Sequence, residues 1–352
     1  MTTTKIIATI GPACLSKKIL TNFKENSVSI ARLNFSHNTS QWHSDAGILA
    51  KECGLETMID LGGPKIRLGE MCHELNLLTD WVICMEHQGA DLEYPYDYKH
   101  NNLNNITIPC RFEIAKFVST GKILLLDDGK ITLEVTEVIG KKVFCKVIFG
   151  GIVKTAKSVN LPYSKVEVPF LTDRDKKMLK ESISIIRPEY VACSFVKSIK
   201  DIETMREYIK YCLNFFDIRD YSPKICVKLE THEVLEDNIL EEVISDCDLV
   251  MIARGDMALE ILPAHILVPF YQNKIAKICH RINKPFVVAT EALDSMITKP
   301  TPSRAEISDI YKSIAIDKAD YIMLSGESAT GNFPCEAVSL MNQMIEQYGD
   351  KS

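Results

Sequence analysis

The feature that most constrains this sequence is a set of short apolar runs that each stop abruptly at a polar or charged residue. Two lie within the stretch Ile225–Glu260: Ile225-Cys226-Val227-Lys228-Leu229-Glu230, and Leu249-Val250-Met251-Ile252-Ala253-Arg254-Gly255-Asp256. Such runs read as strands buried on both faces, the kind found in parallel sheets covered by helices. The same unit recurs along the chain. The strand-like runs are Lys5–Ile10, Ser29–Asn34, Leu55–Asp60, Tyr190–Phe195, Lys224–Leu229, Leu249–Arg254, Pro285–Thr290 and Tyr321–Ser325, with amphipathic helical stretches between them and after the last. Ser16 and Thr172 stand where helix N-caps belong. Eight such alternations predict an α/β fold, a (β/α)8 TIM barrel. An open doubly wound sheet is the alternative, but the first turn, Gly11-Pro12, lacks the G-x-G-x-x-G pattern of that class.

The rhythm breaks after the third strand. From 68 to 168 the sequence alternates with the period of strands, as in Ile131–Val138 and Lys142–Phe149, with Asp128-Gly129 and Gly150-Gly151 as turn signals. Arg111–Val118 is the one helix candidate there. The expected organisation is therefore barrel (1–67), inserted all-β domain (68–168), barrel (169–352).

A net charge of -6 argues against a general nucleic-acid binder, which needs a basic face. The twelve cysteines are scattered with no C-x-x-C, which reads as reduced thiols rather than a disulfide framework or zinc site. No signal pattern and no bilayer-spanning run is evident, so the expectation is a cytoplasmic protein without membrane partners.

In a barrel, function sits at the C-terminal ends of the strands. Here those ends carry Thr9, Arg32, Asn34, Asp60, Ser194, Lys228, Glu230, Asp256, Thr290, Ser325 and Glu327. Glu230 and Asp256 are hard oxygen ligands suited to Mg²⁺ or Mn²⁺. Lys228, two residues from Glu230, faces the same way on a strand and can stabilise developing negative charge. Arg32 offers a fork of donors to phosphate or carboxylate. Backbone N–H groups at Gly255 and Asp256, opening a turn toward a short helix, could cradle a carboxylate. The competing interpretation makes Lys228 and Glu230 an internal ion pair closing the barrel mouth; Asp256 and Arg32 weigh against it.

At this point the sequence resembles the pyruvate kinase family. The matching runs are T-I-G-P-A at 9–13, A-R-L-N-F-S-H at 31–37, G-G-P-K-I-R at 62–67, L-L-D-D-G at 125–129, V-N-L-P at 159–162 and S-F-V at 194–196. V-K-L-E at 227–230, M-I-A-R-G-D at 251–256, S-M-I-T-K-P-T-P-S-R-A-E at 295–306 and M-L-S-G-E-S-A at 323–329 follow in family order. The resemblance implies a barrel with a mobile β lid, and transfer of the phosphoryl group of phosphoenolpyruvate to ADP. It implies Glu230 and Asp256 as ligands of the divalent metal, and Lys228, Arg32 and Thr290 as catalytic and substrate-binding groups. Gly255 and Asp256 would hold the substrate carboxylate. Thr9, Pro12, His37, Arg67 and Lys157 would serve the nucleotide, and Ser325 and Glu327 the proton relay.

Three departures from the family pattern carry expectations of their own. Many members bind a monovalent cation near a D-T-K-G-P-E-I-R run; here Asn34, Ser36 and Asp60 remain, but the run reads D-L-G-G-P-K-I-R. Leu61 replaces a threonine ligand, and the Lys65 ammonium could stand in for K⁺, so activity without K⁺ is expected. The alternative leaves Lys65 as a solvated loop residue. Second, no counterpart of the family's C-terminal regulatory domain is seen, so control by sugar phosphates is expected to be absent, in a natural short form or a trimmed one. Third, Glu291 and Ala258 replace family residues near the site, which leaves open a paralogue acting on another acceptor or 2-oxo acid, or an inactive regulatory protein. A homodimer through the barrel helices after strands six to eight is the expected assembly.

Overall fold

The computed structural model describes residues 4–87 and 106–349. Contacts divide the chain into two compact units, one of residues 1–64, 169–257 and 268–352, the other of residues 65–168 and 258–267.

The first unit contains a closed barrel of eight strands, β1 (Lys5–Thr9), β2 (Val28–Asn34), β3 (Glu56–Asp60), β12 (Tyr190–Cys193), β13 (Lys224–Leu229), β14 (Leu249–Ala253), β15 (Phe286–Ala289) and β16 (Tyr321–Leu324). Every neighbouring pair is parallel, and β16 closes the circle by pairing Lys5 with Tyr321 and Ala8 with Leu324. Closure explains the unbroken apolar runs. One set of alternating side chains, including Ile7, Ile30, Met58, Cys226, Met251, Val287 and Met323, packs inside the barrel. The set between them, such as Ile6, Ile59, Val227 and Ile252, is equally buried, against the surrounding helices. The helix starts follow from capping chemistry. Ser16 accepts the Ile19 N–H, and Thr172 forms a reciprocal box with Asp175, as Ser303 does with Glu306.

Most strand boundaries differ by one or two residues from the sequence-based expectation, as where β12 ends at Cys193 rather than Phe195. The sixth barrel strand stops at Ala253, and Arg254 opens a short helix to Glu260. The seventh ends at Ala289, leaving Thr290 beyond it with a φ of 73°. The helical stretch between the seventh and eighth barrel strands is α-helical from Arg304 to Tyr311 and π-helical from Lys312 to Ile316.

The second unit is built of strands β4 (Leu75–Leu77), β5 (Val82–His87), β6 (Thr107–Cys110), β7 (Ile123–Leu126), β8 (Ile131–Ile139), β9 (Lys142–Phe149), β10 (Gly151–Val153) and β11 (Val159–Asn160). Six form one sheet in the order β11-β7-β8-β9-β5-β6, antiparallel except for the β5–β6 pair, while β10 pairs with β4. Its own core holds Leu68, Ile83, Met85, Leu124, Leu133 and Val147. Asp127, Asp128 and Gly129 all take positive φ between β7 and β8, the conformation that Asp-Gly turns favour. The helix expected at Arg111–Val118 is only a 3-10 turn, Ile114–Lys116.

Candidate active site

Because all eight barrel strands run the same way, their C-terminal ends share one rim. Register sets the neighbours: Thr9 is opposite Arg32, Asn34 opposite Asp60, and Asp60 opposite Ala192.

Asp60, 1% exposed, is the hub of the rim. Its Oδ2 accepts from Arg32 through both Nε and Nη2, each at 2.7 Å. Arg32 Nη1 donates to Thr9 Oγ1 at 2.8 Å, and that hydroxyl donates to the Leu324 carbonyl at 2.8 Å. On its other side Asp60 Oδ1 lies 3.5 Å from Lys228 Nζ and accepts from Ser194 Oγ at 3.4 Å. Lys228 itself donates to Ser194 Oγ at 2.7 Å and sits 3.2 Å from Glu230 Oε2. Burial alone would drive the Lys228 ammonium toward neutrality. The carboxylates of Asp60, Glu230 and Asp256 outweigh that and hold its pKa above the ordinary lysine range.

Glu230 is fully buried. Its Oε1 accepts the Phe195 N–H at 2.7 Å, whereas Oε2 makes no hydrogen bond. Desolvation pushes its pKa up to about 7, against the pull of Lys228 and the Phe195 N–H; Asp256 and Asp60 push it further up. Three carboxylates (Asp60, Glu230, Asp256) thus share two cations (Arg32, Lys228). A surplus negative charge, and a buried carboxylate oxygen without a hydrogen bond, suit a divalent cation with oxygen preference.

Thr290 stands across the rim. Its Oγ1 accepts the Gly255 N–H at 2.9 Å, so that donor, which the sequence offered for a substrate carboxylate, is paired here with the threonine. Positive φ at a β-branched residue costs on the order of 1–3 kcal/mol and persists only where neighbours enforce it. Ser325 and Glu327 also lie at the rim. Glu327, 1% exposed, accepts N–H groups from Ser325 at 2.7 Å and Leu293 at 3.0 Å, while the buried Ser325 Oγ makes no hydrogen bond.

A cavity of about 350 Å³ opens beside Arg32, lined by Thr9, Pro12, Asn34, His37, Ser325 and Thr330 among others. Gly11, also in its lining, lets the chain pass close to Ala329, since a Cβ there would lie 2.3 Å from the Ala329 carbonyl oxygen. The His37 loop is braced from behind: buried His43 stacks on Phe35 at 4.1 Å and sets Nε2 2.8 Å from the His37 carbonyl. Thr9, Pro12 and His37 therefore come together in the first unit. Arg67 and Lys157 come together in the second, where Arg67 Nη1 donates to the Ala156 carbonyl at 3.0 Å and Lys157 pairs with Asp127 at 2.7 Å.

The family model described as "Pyruvate kinase, barrel domain" matches residues 1–338. The chain belongs to the pyruvate kinase family. It is 35% identical to a pyruvate kinase of Agrobacterium vitis, over 97% of this chain and 67% of that protein. It is 34% identical to pyruvate kinase 2 of Synechocystis, over 98% of this chain and 56% of the relative. Among solved structures, a pyruvate kinase from Cryptosporidium parvum superposes with a TM-score of 0.87 at 29% identity, covering 99% of this chain and 69% of that one. The chain thus spans between about half and two thirds of the length of these relatives.

Pyruvate kinase family membership agrees with the (β/α)8 barrel read from the sequence. Of the monovalent-cation set, Asn34 Oδ1 accepts the Ser36 N–H at 3.1 Å and the Leu61 carbonyl accepts from Ser194 Oγ at 2.7 Å. Lys65 lies 3.3 Å from Asp128 within the second unit. The residue that sequence reasoning missed is Arg254. It was legible only as the charge that stops a strand, whereas its guanidinium gathers the carbonyls of Ala289, Thr290 and Glu291. Among the described residues, no helix is long and apolar enough to cross a membrane.

Proposed function

We propose that this member of the pyruvate kinase family transfers the phosphoryl group of phosphoenolpyruvate to ADP, giving pyruvate and ATP. The observation that carries the reading is the buried cluster in which Arg32 and Lys228 share Asp60 while Glu230 keeps one oxygen without a hydrogen bond. Phosphoryl transfer asks little covalent chemistry of a protein. It needs in-line positioning and charge neutralisation on the moving group, and cationic donors in a dry pocket supply both.

In this reading Glu230 and Asp256 hold Mg²⁺ or Mn²⁺, which when bound neutralises charge on the phosphoryl oxygens and the enolate. Lys228 faces the enolate oxygen released when the ester P–O bond breaks, and Arg32 binds the transferring group. Thr9, Pro12 and His37 line the nucleotide cavity; Arg67 and Lys157 keep the nucleotide role that the resemblance implies. The enolate carbon is then protonated from the rim, through Thr290 with Ser325 and Glu327 as the relay. Gly255 and Asp256 bear on the substrate carboxylate.

The reading also makes K⁺ dispensable. Leu61 offers no side-chain oxygen, and both Asp60 oxygens already have Arg32, Lys228 and Ser194 as partners. Lys65 is the tethered cation proposed in its place. The assembly proposed is a homodimer through the barrel helices after strands six to eight, and the apolar side chains exposed there include Phe270, Tyr311 and Ile316.

The deciding experiment is a coupled assay for pyruvate from phosphoenolpyruvate, ADP and Mg²⁺ in buffer free of K⁺. Pyruvate formed in step with ATP supports the proposal. Loss of phosphoenolpyruvate without ADP, or no turnover under any ion condition, refutes it.

A further inference from the structure

A polar network runs inward from the Thr290 segment. It begins at Arg254, whose side chain is 10% exposed. Arg254 Nε donates to the Ala289 carbonyl at 3.3 Å, and Nη2 donates to the carbonyls of Thr290 and Glu291. Nη1 meets Asp309 Oδ2 at 2.5 Å and Gln272 Oε1 at 3.5 Å. One planar fork therefore collects three successive carbonyls from the segment in which Thr290 and Glu291 both take positive φ, 73° and 52°. No other side chain presents donors in a fixed plane broad enough for this; a lysine offers a single point charge.

Behind Arg254 the network continues inward. Gln272, 3% exposed, donates from Nε2 to Asp317 Oδ2 at 2.7 Å and to Ser313 Oγ at 3.5 Å. Asp317, also 3% exposed, accepts the Lys312 ammonium as well, and its carbonyl lies 2.7 Å from His280 Nε2. Lys312 and Ser313 belong to the π-helical segment, whose wider turn accommodates this inward-facing polar group. Asp317 can only accept when ionised, so it fixes which end of the Gln272 amide points toward it and which toward Arg254.

We propose that Arg254 is a positioning residue that holds Thr290 in its left-handed conformation with its hydroxyl on the Gly255 N–H, and that Gln272 and Asp317 set the orientation of Arg254. The proposal rests on the phosphoryl-transfer reading above for its kinetic consequence, and on the geometry alone for its structural one. Misplacing a reacting-site group by about 1 Å can cost on the order of 100-fold in rate.

The test compares Arg254→Lys, Gln272→Met and Asp317→Asn with the parent, using exposed Arg206→Met as a control. Asp317→Asn lets the Gln272 amide reverse and present its NH₂ to the guanidinium. Arg254→Lys is expected to lower kcat by about tenfold or more, with the KM for ADP within about twofold. The two inner variants should shift kcat the same way by about threefold. Ethylguanidinium added to Arg254→Ala should restore part of the rate, which a generally loosened fold would not allow. Hydrogen exchange followed by mass spectrometry should show faster exchange over residues 287–294 in every network variant, with β12 unchanged. Parent-like kcat in Arg254→Lys, or parent-like exchange over 287–294 in both Arg254→Lys and Gln272→Met, overturns the proposal. A parent without turnover would sink the phosphoryl-transfer reading, and the exchange measurement would still decide the positioning role.

Discussion

The ammonium of Lys228 lies 3.2 Å from Glu230 Oε2 and is shared with Asp60 at 3.5 Å, so one cation holds two buried carboxylates at the rim of the barrel. Replacing it by an apolar chain of similar length separates its chemical role from any metal-binding one. Lys228→Met should lower kcat by roughly 100- to 1000-fold, the usual cost of removing a buried donor aimed at developing charge. Mn²⁺ binding, followed by electron paramagnetic resonance, should persist, because the carboxylates remain. A Lys228→Met protein that turns over like the parent would remove Lys228 from the mechanism.

Glu230 sets a pH dependence with a definite sign. Its pKa in the folded protein is pushed from the ordinary 4.5 up to about 7. Between those values the folded state binds more protons than the unfolded one, so the metal-free protein loses stability as pH rises through that window. A metal must displace the same proton, so Mn²⁺ affinity should climb with pH up to about 7 and then level off. Thermal melts with and without Mn²⁺, at pH steps across the window, read both effects. Glu230→Gln should weaken metal binding and flatten both profiles; unchanged affinity in that variant would contradict the assignment.

Monovalent-cation dependence is tested by exchange of salts at constant ionic strength. Replacing tetramethylammonium by K⁺ should change the parent rate by less than about twofold, since general screening is held constant by the exchange. The double variant Leu61→Thr/Lys65→Glu, which restores a side-chain oxygen and removes the tethered charge, should become active only with K⁺. A strong K⁺ requirement in the parent would end the tethered-cation reading.

Thr290 allows its hydroxyl to be separated from its strained backbone. Thr290→Val keeps the β-branched shape and the cost of positive φ, but leaves the Gly255 N–H without its acceptor. It should lose about 100-fold in kcat, whereas Thr290→Ser should stay within about threefold of the parent. Equal rates for the two variants would show that the hydroxyl takes no part.

Parts of the fold and of the site were legible in the sequence alone. The barrel was, because strands buried on both faces leave unbroken apolar runs, and a closed parallel sheet brings their ends to one rim. Arg32, Asp60, Lys228 and Glu230 were legible as charges where apolar runs stop, and they lie within hydrogen-bond or ion-pair reach of one another. Arg254 was not. Periodicity cannot distinguish the last residue of a strand from the first of a helix, and its meaning depends on carbonyls 35 to 37 positions away. The π-helical turn at Lys312 was equally hidden, since an α-helical apolar pattern runs through it. At Arg111–Val118 a helix-like pattern yields only a 3-10 turn, in a segment whose Ile114 is claimed by the core of the β unit.

The pairing of β1 with β16 has a consequence for the order in which the protein can become competent. Thr9 Oγ1 donates to the Leu324 carbonyl, 315 positions later, and the cavity beside Arg32 takes one wall from residues 9–12 and another from residues 325–330. On a growing chain the first wall emerges long before the second exists. Until β16 arrives, β1 presents an unpaired edge of the kind that recruits other strands. The cavity beside Arg32 therefore cannot be completed until residues 325–330 have been made. Gly11→Ala, by placing a methyl against Ala329, should stall folding at that final closure while the β-rich unit of residues 65–168 and 258–267 forms normally.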